Sequence, residues 1–288
     1  MTINTDKIKV DEFEWFYRHT EIDSDKPNGI ATQRTPVLFL HGLPSHSYTW
    51  SRMMSLLADE NIPSFAVDWL GCGFSDKPKP KDFAYTPKAY LTELEKVIAA
   101  LKLEKFYLVV QGFLGSVGVQ YALQNPDRLE GLIILNAPIT SGVKLPWLMK
   151  QLSLPFVGDM MTQDPLLVDR TIEKGSGFVV EDKDLNQLRK PFLQSSAVGR
   201  SLMAILQKLD LPNTTKEIET GLQQWSKPGL IIWGAEDKWL KIDDVKKIAN
   251  DNEAIDLIEL AEAKHYPQEH WASDISQEIV QFFRRKVF

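Results

Sequence analysis

Short, wholly apolar runs recur along the chain, and amphipathic stretches with helical spacing separate them. Apolar runs of this length without polar alternation are typical of strands that are covered on both faces. The predicted buried strands lie at residues 36–44, 63–69, 106–110, 129–138, 228–240 and 254–260. Helices are predicted at 47–61 and at 273–285. Two further helices are predicted, one from the N-cap Thr86 to about residue 101 and one from the end of the strand at 106–110 to residue 125. This alternation predicts a parallel sheet with helices on both sides.

Three segments depart from the pattern. Residues 8–20 alternate loosely and are rich in aromatics, which predicts an antiparallel pair at a sheet edge, and the polar residues 21–35 predict a loop or hairpin. Residues 139–215 are apolar without strand periodicity and then become helical, which predicts a helical insertion over the carboxyl ends of the strands. The predicted division is therefore a core of residues 1–138 and 216–288, with a lid of residues 139–215 inserted after the sixth strand.

Composition narrows the function classes. The 33 basic and 39 acidic residues give a net charge of −6, so no basic surface favours nucleic acid or an anionic membrane. No apolar run approaches the 18 residues of a membrane helix, and the first residues lack a signal region, so we expect a cytoplasmic protein. The single Cys72 cannot form an intramolecular disulfide. No ligand-spaced His/Cys set or phosphate-binding glycine loop predicts a metal or cofactor, and the sequence gives no oligomeric state.

Five motifs occur in an order that resembles a known family. They are His41-Gly42-Leu43-Pro44 with Ser47-Tyr48-Thr49-Trp50, Asp68 with Gly71, Gly73, Ser75, Asp76, Lys77 and Pro78, the segment 106–126 ending in Asn125-Pro126, Trp233-Gly234 with Asp237, and residues 264–269. The chain resembles the α/β-hydrolase superfamily over nearly its full length, and within it the haloalkane dehalogenase and epoxide hydrolase branch. The resemblance implies an α/β fold of the α/β-hydrolase type, in which helices flank a mostly parallel sheet and a helical lid is inserted.

The resemblance also implies roles for particular residues. The segment 106–125 is similar to the nucleophile elbow, whose apex is Gly112 in this chain. Family order places the catalytic acid at Asp237 and the base at His265. The oxyanion hole would be the backbone N–H groups of Leu43 and Phe113. The predicted substrate pocket contains His41, Gln111, Trp147, Phe156 and Trp239.

Some candidates have competing interpretations. Ser116 becomes the nucleophile only if the register shifts by four residues, which would put Leu114 where a small residue is wanted. His41 is better explained as a hydrogen-bonding group behind its loop than as an acid or base. His46 and His270 are expected in solvent, and Cys72 is expected in a turn rather than as a nucleophile. The lid side chains either line a pocket for a small apolar ligand or pack the lid on the core; they are Trp147, Phe156, Met160, Met161 and Phe178.

Three departures limit what the resemblance implies about activity. Gly112 has no side chain to attack an ester, a carbon–halogen bond or an epoxide. Phe113 and Leu43 stand where dehalogenases use side-chain donors for halide, and neither side chain can donate. All seven tyrosines lie outside the predicted lid, whereas epoxide hydrolases use lid tyrosines. Gln111 and Leu114 also differ from the usual His and Gly, which indicates natural divergence of the elbow.

Two functions remain open from the sequence. The first is a hydrolase of a small, largely apolar, ester-like substrate, in which His265, oriented by Asp237, activates water directly. The second is a binding or sensing protein that keeps the fold and has lost chemistry. Retention of both Asp237 and His265 favours the hydrolase.

Overall fold

The computed structural model describes residues 2–20 and 35–285. The predicted loop at 21–35 therefore lies outside the described residues, apart from its last position. Eight strands form one sheet: β1 (Ile3–Val10), β2 (Phe13–Thr20), β3 (Val37–Leu40), β4 (Ser64–Val67), β5 (Phe106–Gln111), β6 (Leu129–Leu135), β7 (Gly229–Gly234) and β8 (Ile255–Leu260). Their order across the sheet is β1-β2-β4-β3-β5-β6-β7-β8.

The sheet is mostly parallel. The β1–β2 and β2–β4 pairs are antiparallel, whereas the remaining strands pair in parallel from β4 to β8. The predicted antiparallel edge pair and the α/β-hydrolase architecture are both confirmed. Because the parallel strands share one direction, the residues that follow β3, β5, β6, β7 and β8 all lie at the same edge of the sheet.

Eleven α-helices occur in the described ranges: α1 (Ser51–Asp59), α2 (Pro87–Ala100), α3 (Gly112–Gln124), α4 (Trp147–Leu152), α5 (Val157–Met161), α6 (Leu167–Ser176), α7 (Asp182–Gln194), α8 (Ser196–Lys208), α9 (Leu211–Gln223), α10 (Ile242–Asp251) and α11 (Ala272–Arg285). Thr86 caps α2 by accepting from the Ala89 N–H, and Pro87 opens the helix, as the sequence predicts. Helix α10 lies between β7 and β8 and was not among the predicted helices.

Alternate side chains of the strands supply two apolar layers. On β5, Phe106, Leu108 and Val110 belong to one cluster, while Tyr107 and Val109 belong to the other. This division follows from the two-residue period of a strand and explains why the run is apolar throughout. Helix α3 packs closely on β5 because Gly118 has no side chain. A Cβ atom at that position would lie only 2.6 Å from Val110 Cγ1.

Helices α4 to α9 lie between β6 and β7, in and just beyond the segment predicted to be an inserted lid. Helices α4 and α5 pack against α8, and α6 packs against α7. The predicted end of the insertion at residue 215 falls inside α9, and α9 packs on α3 beside the sheet. We therefore propose that the lid ends where α9 begins.

Candidate active site

Asp237 and His265 form a buried pair at the carboxyl edge of the sheet. Asp237 follows β7, His265 follows β8, and His265 Nδ1 lies 2.8 Å from Asp237 Oδ2. Asn136 Nδ2 also donates to Oδ2 at 2.9 Å, and the backbone N–H groups of Trp239 and Leu240 donate to Oδ1 at 2.7 and 3.2 Å. These donors hold the carboxylate in place. Since a carboxylate accepts, Nδ1 of His265 carries its hydrogen, and Nε2 presents a lone pair.

The Nε2 atom of His265 is buried and has no hydrogen-bond partner within the described residues. The imidazole lies among three aromatic rings, whose centroids are 4.6 Å (Trp239), 4.8 Å (Tyr266) and 5.4 Å (Phe113) from its own. These rings fix the imidazole from several sides. An unpaired buried nitrogen is costly unless a ligand or water uses it, so Nε2 is the strongest indication of chemistry here.

Gly112 occupies the turn between β5 and α3 with a φ of +71°. A Cβ atom placed on Gly112 would lie 3.7 Å from His265 Nε2. The same atom would lie only 2.9 Å from Gly42 Cα, so the loop after β3 closes over the position that a side chain would take. The structure therefore places Gly112 beside His265 Nε2 and leaves little room for a nucleophilic side chain.

Leu43 and Phe113, the proposed oxyanion-hole residues, are both buried beside this turn. Phe113 is the second residue of α3, so its N–H is among those that have no acceptor inside the helix. The Leu43 carbonyl accepts a hydrogen bond from Tyr266 Oη at 2.6 Å, which fixes the orientation of that loop. Both N–H groups remain proposed oxyanion donors.

His41 and Gln111 are fully buried in the wall behind the turn. His41 Nε2 accepts from the Trp69 N–H at 3.1 Å, and Nδ1 lies 2.8 Å from the Gly42 carbonyl oxygen. Burial lowers the pKa of His41 to about 4. His41 thus has both nitrogens engaged, which supports its role as a structural hydrogen-bonder and argues against its place in the substrate pocket. Gln111 Nε2 donates to the His265 carbonyl at 2.7 Å, while its Oε1 has no partner in the described chain.

Two of the predicted pocket residues lie on the outside of the lid. Trp147 is 71% exposed and Phe156 is 86% exposed, so their assignment to the pocket is wrong. Met160 is exposed as well, whereas Met161 and Phe178 are partly buried. Trp147 opens the six-residue α4 and Phe156 directly precedes the five-residue α5, and such short helices have too few residues for a periodicity that would reveal the buried face. Trp239, by contrast, contacts the His265 ring as expected of a site residue.

Other candidates are also resolved by burial. Ser116 is buried in α3 and donates to the Phe113 carbonyl at 2.7 Å, so its hydroxyl is directed at its own helix and does not support the alternative nucleophile. Cys72 is buried, which raises the pKa of its thiol. His270 is exposed, as predicted. His46 is not: it is buried, and its Nε2 lies 3.1 Å from the Gln187 carbonyl of α7, because that helix covers it.

Asn136 is the site residue that the sequence analysis missed. It follows β6, has a φ of +36°, donates to Asp237 and also pairs with the Gly234 backbone through both its side-chain atoms. Its position directly after a buried strand is the sequence feature that could have identified it as a site residue. Asn136 couples the ends of β6 and β7 and so orients the Asp237 carboxylate.

Within residues 2–20 and 35–285, no group of three His, Cys, Asp or Glu side chains could hold a metal ion. Over the same ranges, no helix is long and apolar enough to cross a membrane.

The chain belongs to the α/β-hydrolase fold family, whose model matches residues 35–270. Among solved structures, a haloalkane dehalogenase, DbeA from Bradyrhizobium elkani, has the same fold with a TM-score of 0.84 and 21% identity, covering 99% of each chain. The predicted resemblance to the haloalkane dehalogenase and epoxide hydrolase branch is confirmed.

Two relatives align over parts of the sequence. The cis-3-alkyl-4-alkyloxetan-2-one decarboxylase of Shewanella oneidensis is 37% identical over 105 residues, which are 36% of this chain and 33% of the relative. The epoxide hydrolase of Caballeronia sordidicola is 33% identical over 120 residues, which are 40% of this chain and 36% of the relative. Both alignments thus span about a third of the relative's length.

Proposed function

We propose that this protein is a hydrolase of a small, largely apolar, ester-like substrate, and that it activates water without a covalent intermediate. The observation that carries the proposal is the state of His265. Its Nδ1 is bound to Asp237, while its buried Nε2 has no partner in the described residues and faces Gly112. This is the arrangement that a general base needs.

The reaction would proceed in two proton transfers. His265 Nε2 takes a proton from water as the water oxygen attacks the ester carbonyl, and Asp237 stabilises the resulting imidazolium. The N–H groups of Leu43 and Phe113 stabilise the oxyanion. The carbon–oxygen bond to the alcohol then breaks, and His265 returns the proton to the leaving oxygen, so that an acid and an alcohol are released.

Direct water attack is favoured over a covalent route because Gly42 Cα lies 2.9 Å from the Cβ position of residue 112. A side-chain nucleophile would require this loop to move. The name of the Shewanella relative refers to an oxetan-2-one, a cyclic ester, and this favours a carbonyl substrate over a halide or epoxide. Oxyanion stabilisation and binding without an intact triad still give roughly 10³- to 10⁴-fold catalysis over water in subtilisin, so slow turnover is expected.

The test is turnover of a panel of short-chain aryl esters by the wild type, His265→Ala and His270→Ala. His270 is the matched control because it is exposed and stacks on Phe178 away from Asp237, with ring centroids 3.9 Å apart. We expect His265→Ala to lose turnover and His270→Ala to retain it. Unchanged turnover in His265→Ala would overturn the proposal.

The second candidate is a ligand-binding or sensing protein without catalysis. It is favoured by the close approach of Gly42 to Gly112, which narrows the reaction centre. Under this alternative the wild type is silent on every ester, and ligand binding slows hydrogen exchange in the lid helices without forming product.

A further inference from the structure

A small cavity lies beside the catalytic pair on the side of α6. Its volume is about 150 Å³, and its walls include Asp237, His265 and Trp239. At the roughly 30 Å³ that a water molecule occupies in the liquid, this is room for about five non-hydrogen atoms. The cavity is therefore large enough for a small ligand or for one end of a substrate.

Three lysines line the same cavity: Lys174 from the last turn of α6, Lys238 next to Asp237, and Lys264 next to His265. None of the three forms an ion pair with any residue in the described ranges. The one carboxylate in the wall, that of Asp237, already accepts hydrogen bonds from His265, Asn136 and two backbone N–H groups. The residues that line the cavity thus include three basic side chains and one acidic side chain, in a chain whose overall charge is −6. A recess with walls of one sign attracts small ions of the other sign.

Two glycines at the end of α6 bring its backbone close to residues of this recess. Gly177 ends the helix with a φ of +80°, and a Cβ atom there would lie 2.7 Å from Lys264 Cδ, Cε and Nζ. The Lys264 side chain therefore lies against Gly177. A Cβ atom at Gly175 would lie 3.1 Å from Trp239 Cη2 and 2.3 Å from Tyr266 Cε2, so only glycine lets α6 approach these rings. The close approach at Gly175 thus leaves Trp239 as the aromatic wall of the recess.

We infer that this cavity binds a small carboxylate, and that the ester substrate or its acid product carries that group. The lysine ammonium groups recognise the carboxylate, and Trp239 contacts the adjoining apolar carbons. The assignment to a substrate or product rests on the proposed hydrolase function, whereas binding of the anion does not.

Calorimetric titration with propionate, which has five non-hydrogen atoms, tests the anion site directly. Propionamide is the neutral probe of nearly the same shape. We expect the wild type to bind propionate at least about tenfold (~1.4 kcal/mol) more tightly than propionamide. We expect the triple variant Lys174→Gln/Lys238→Gln/Lys264→Gln to lose the preference for propionate. The single variant Lys264→Arg should keep it.

Lys150→Gln is the matched control, because Lys150 also lies in the last turn of a lid helix and does not line the cavity. It should leave propionate binding unchanged. Equal affinity for propionate and propionamide, or an unchanged preference in the triple variant, would overturn the inference.

A second measurement separates this inference from the proposed function. Titration uses no ester, so a protein that binds propionate but hydrolyses nothing would retain the anion site and lose the hydrolase proposal. If esters are hydrolysed, the ratio of kcat/KM for a carboxylate-bearing ester to that for its neutral analogue should fall at least about tenfold in the triple variant. A ratio that does not change would show that the substrate carries no carboxylate into this cavity.

Discussion

The Nε2 atom of His265 faces Gly112, and a Cβ atom on that glycine would lie 3.7 Å from it and 2.9 Å from Gly42 Cα. The buried His265–Asp237 pair is thus in place, while the position of a side chain on residue 112 is closed by backbone. A flexible side chain could move aside at little cost, but Gly42 Cα moves only with its loop.

Gly112→Ala should therefore destabilise the protein by about 2–4 kcal/mol, because left-handed backbone strain adds to the contact with Gly42. Gly142→Ala is the matched control, since Gly142 has a φ of +85° and nothing within 4 Å of its Cβ position. It should lose only about 1–2 kcal/mol from strain. Urea unfolding measures both values. Equal losses of stability in the two variants would show that the loop containing Gly42 moves aside at little cost.

Asp237→Asn should lower turnover roughly 10²- to 10⁴-fold, the usual contribution of general-base catalysis. An amide at position 237 can donate to Nδ1, which would move the imidazole hydrogen to Nε2 and remove the lone pair that water needs. Steady-state kinetics measures the loss, and the ¹⁵N shifts of His265 report the tautomer. Asp251→Asn, an exposed change at the end of α10, should alter neither readout. A variant that keeps the Nδ1–H tautomer and full activity would contradict the assigned role of Asp237.

Tyr48 links the segment after β3 to α7, because its hydroxyl donates to Asp184 Oδ1 of α7 at 2.7 Å. Arg52 Nη2 also donates to Asp184, to Oδ2 at 2.9 Å. Tyr48→Phe should weaken the attachment of α7 by about 1–2 kcal/mol, since a hydrogen bond to a charged group is lost while Arg52 still pairs with it. Hydrogen exchange of 182–194 should accelerate about five- to thirtyfold. Tyr17→Phe in β2 should leave α7 unchanged, and unaltered exchange in Tyr48→Phe would show that this hydrogen bond does not hold α7.

The close approach of Asp237 and His265 could be predicted because strand position carries the information. Asp237 and His265 each follow a strand of the parallel sheet, and the carboxyl ends of such strands meet at one edge. The same rule applies to Asn136 after β6, which the sequence analysis did not use.

The lid could not be predicted residue by residue. Trp147 and Phe156 are large and apolar, yet they are exposed, whereas His46 is polar and buried. Which face of a short helix is covered depends on partners distant in sequence; His46 meets Gln187 across 141 positions. The three lysines beside His265 lie on separate segments, and only the fold brings them to one cavity.

Glu269 provides a test of buried charge near the site. Its carboxyl accepts from Thr49 Oγ1, and burial raises the pKa of Glu269 from 4.5 to about 7, with the Thr49 hydrogen bond acting in the opposite direction. Between these two values the folded state binds more protons than the unfolded state, so the free energy of unfolding must fall as the pH rises through that window.

Glu269→Gln should remove this pH dependence, because the amide keeps an acceptor for Thr49 and cannot ionise. From pH 5 to pH 8, the free energy of unfolding of the variant should rise by about 1–2 kcal/mol relative to that of the wild type. This figure is smaller than the full linkage because Glu269 is partly exposed. Urea unfolding at several pH values measures the difference. Glu262→Gln is the exposed control and should run parallel to the wild type. If Glu269→Gln also runs parallel to the wild type across this range, the Glu269 carboxyl is ionised in the folded protein at pH 5, and burial does not control its charge.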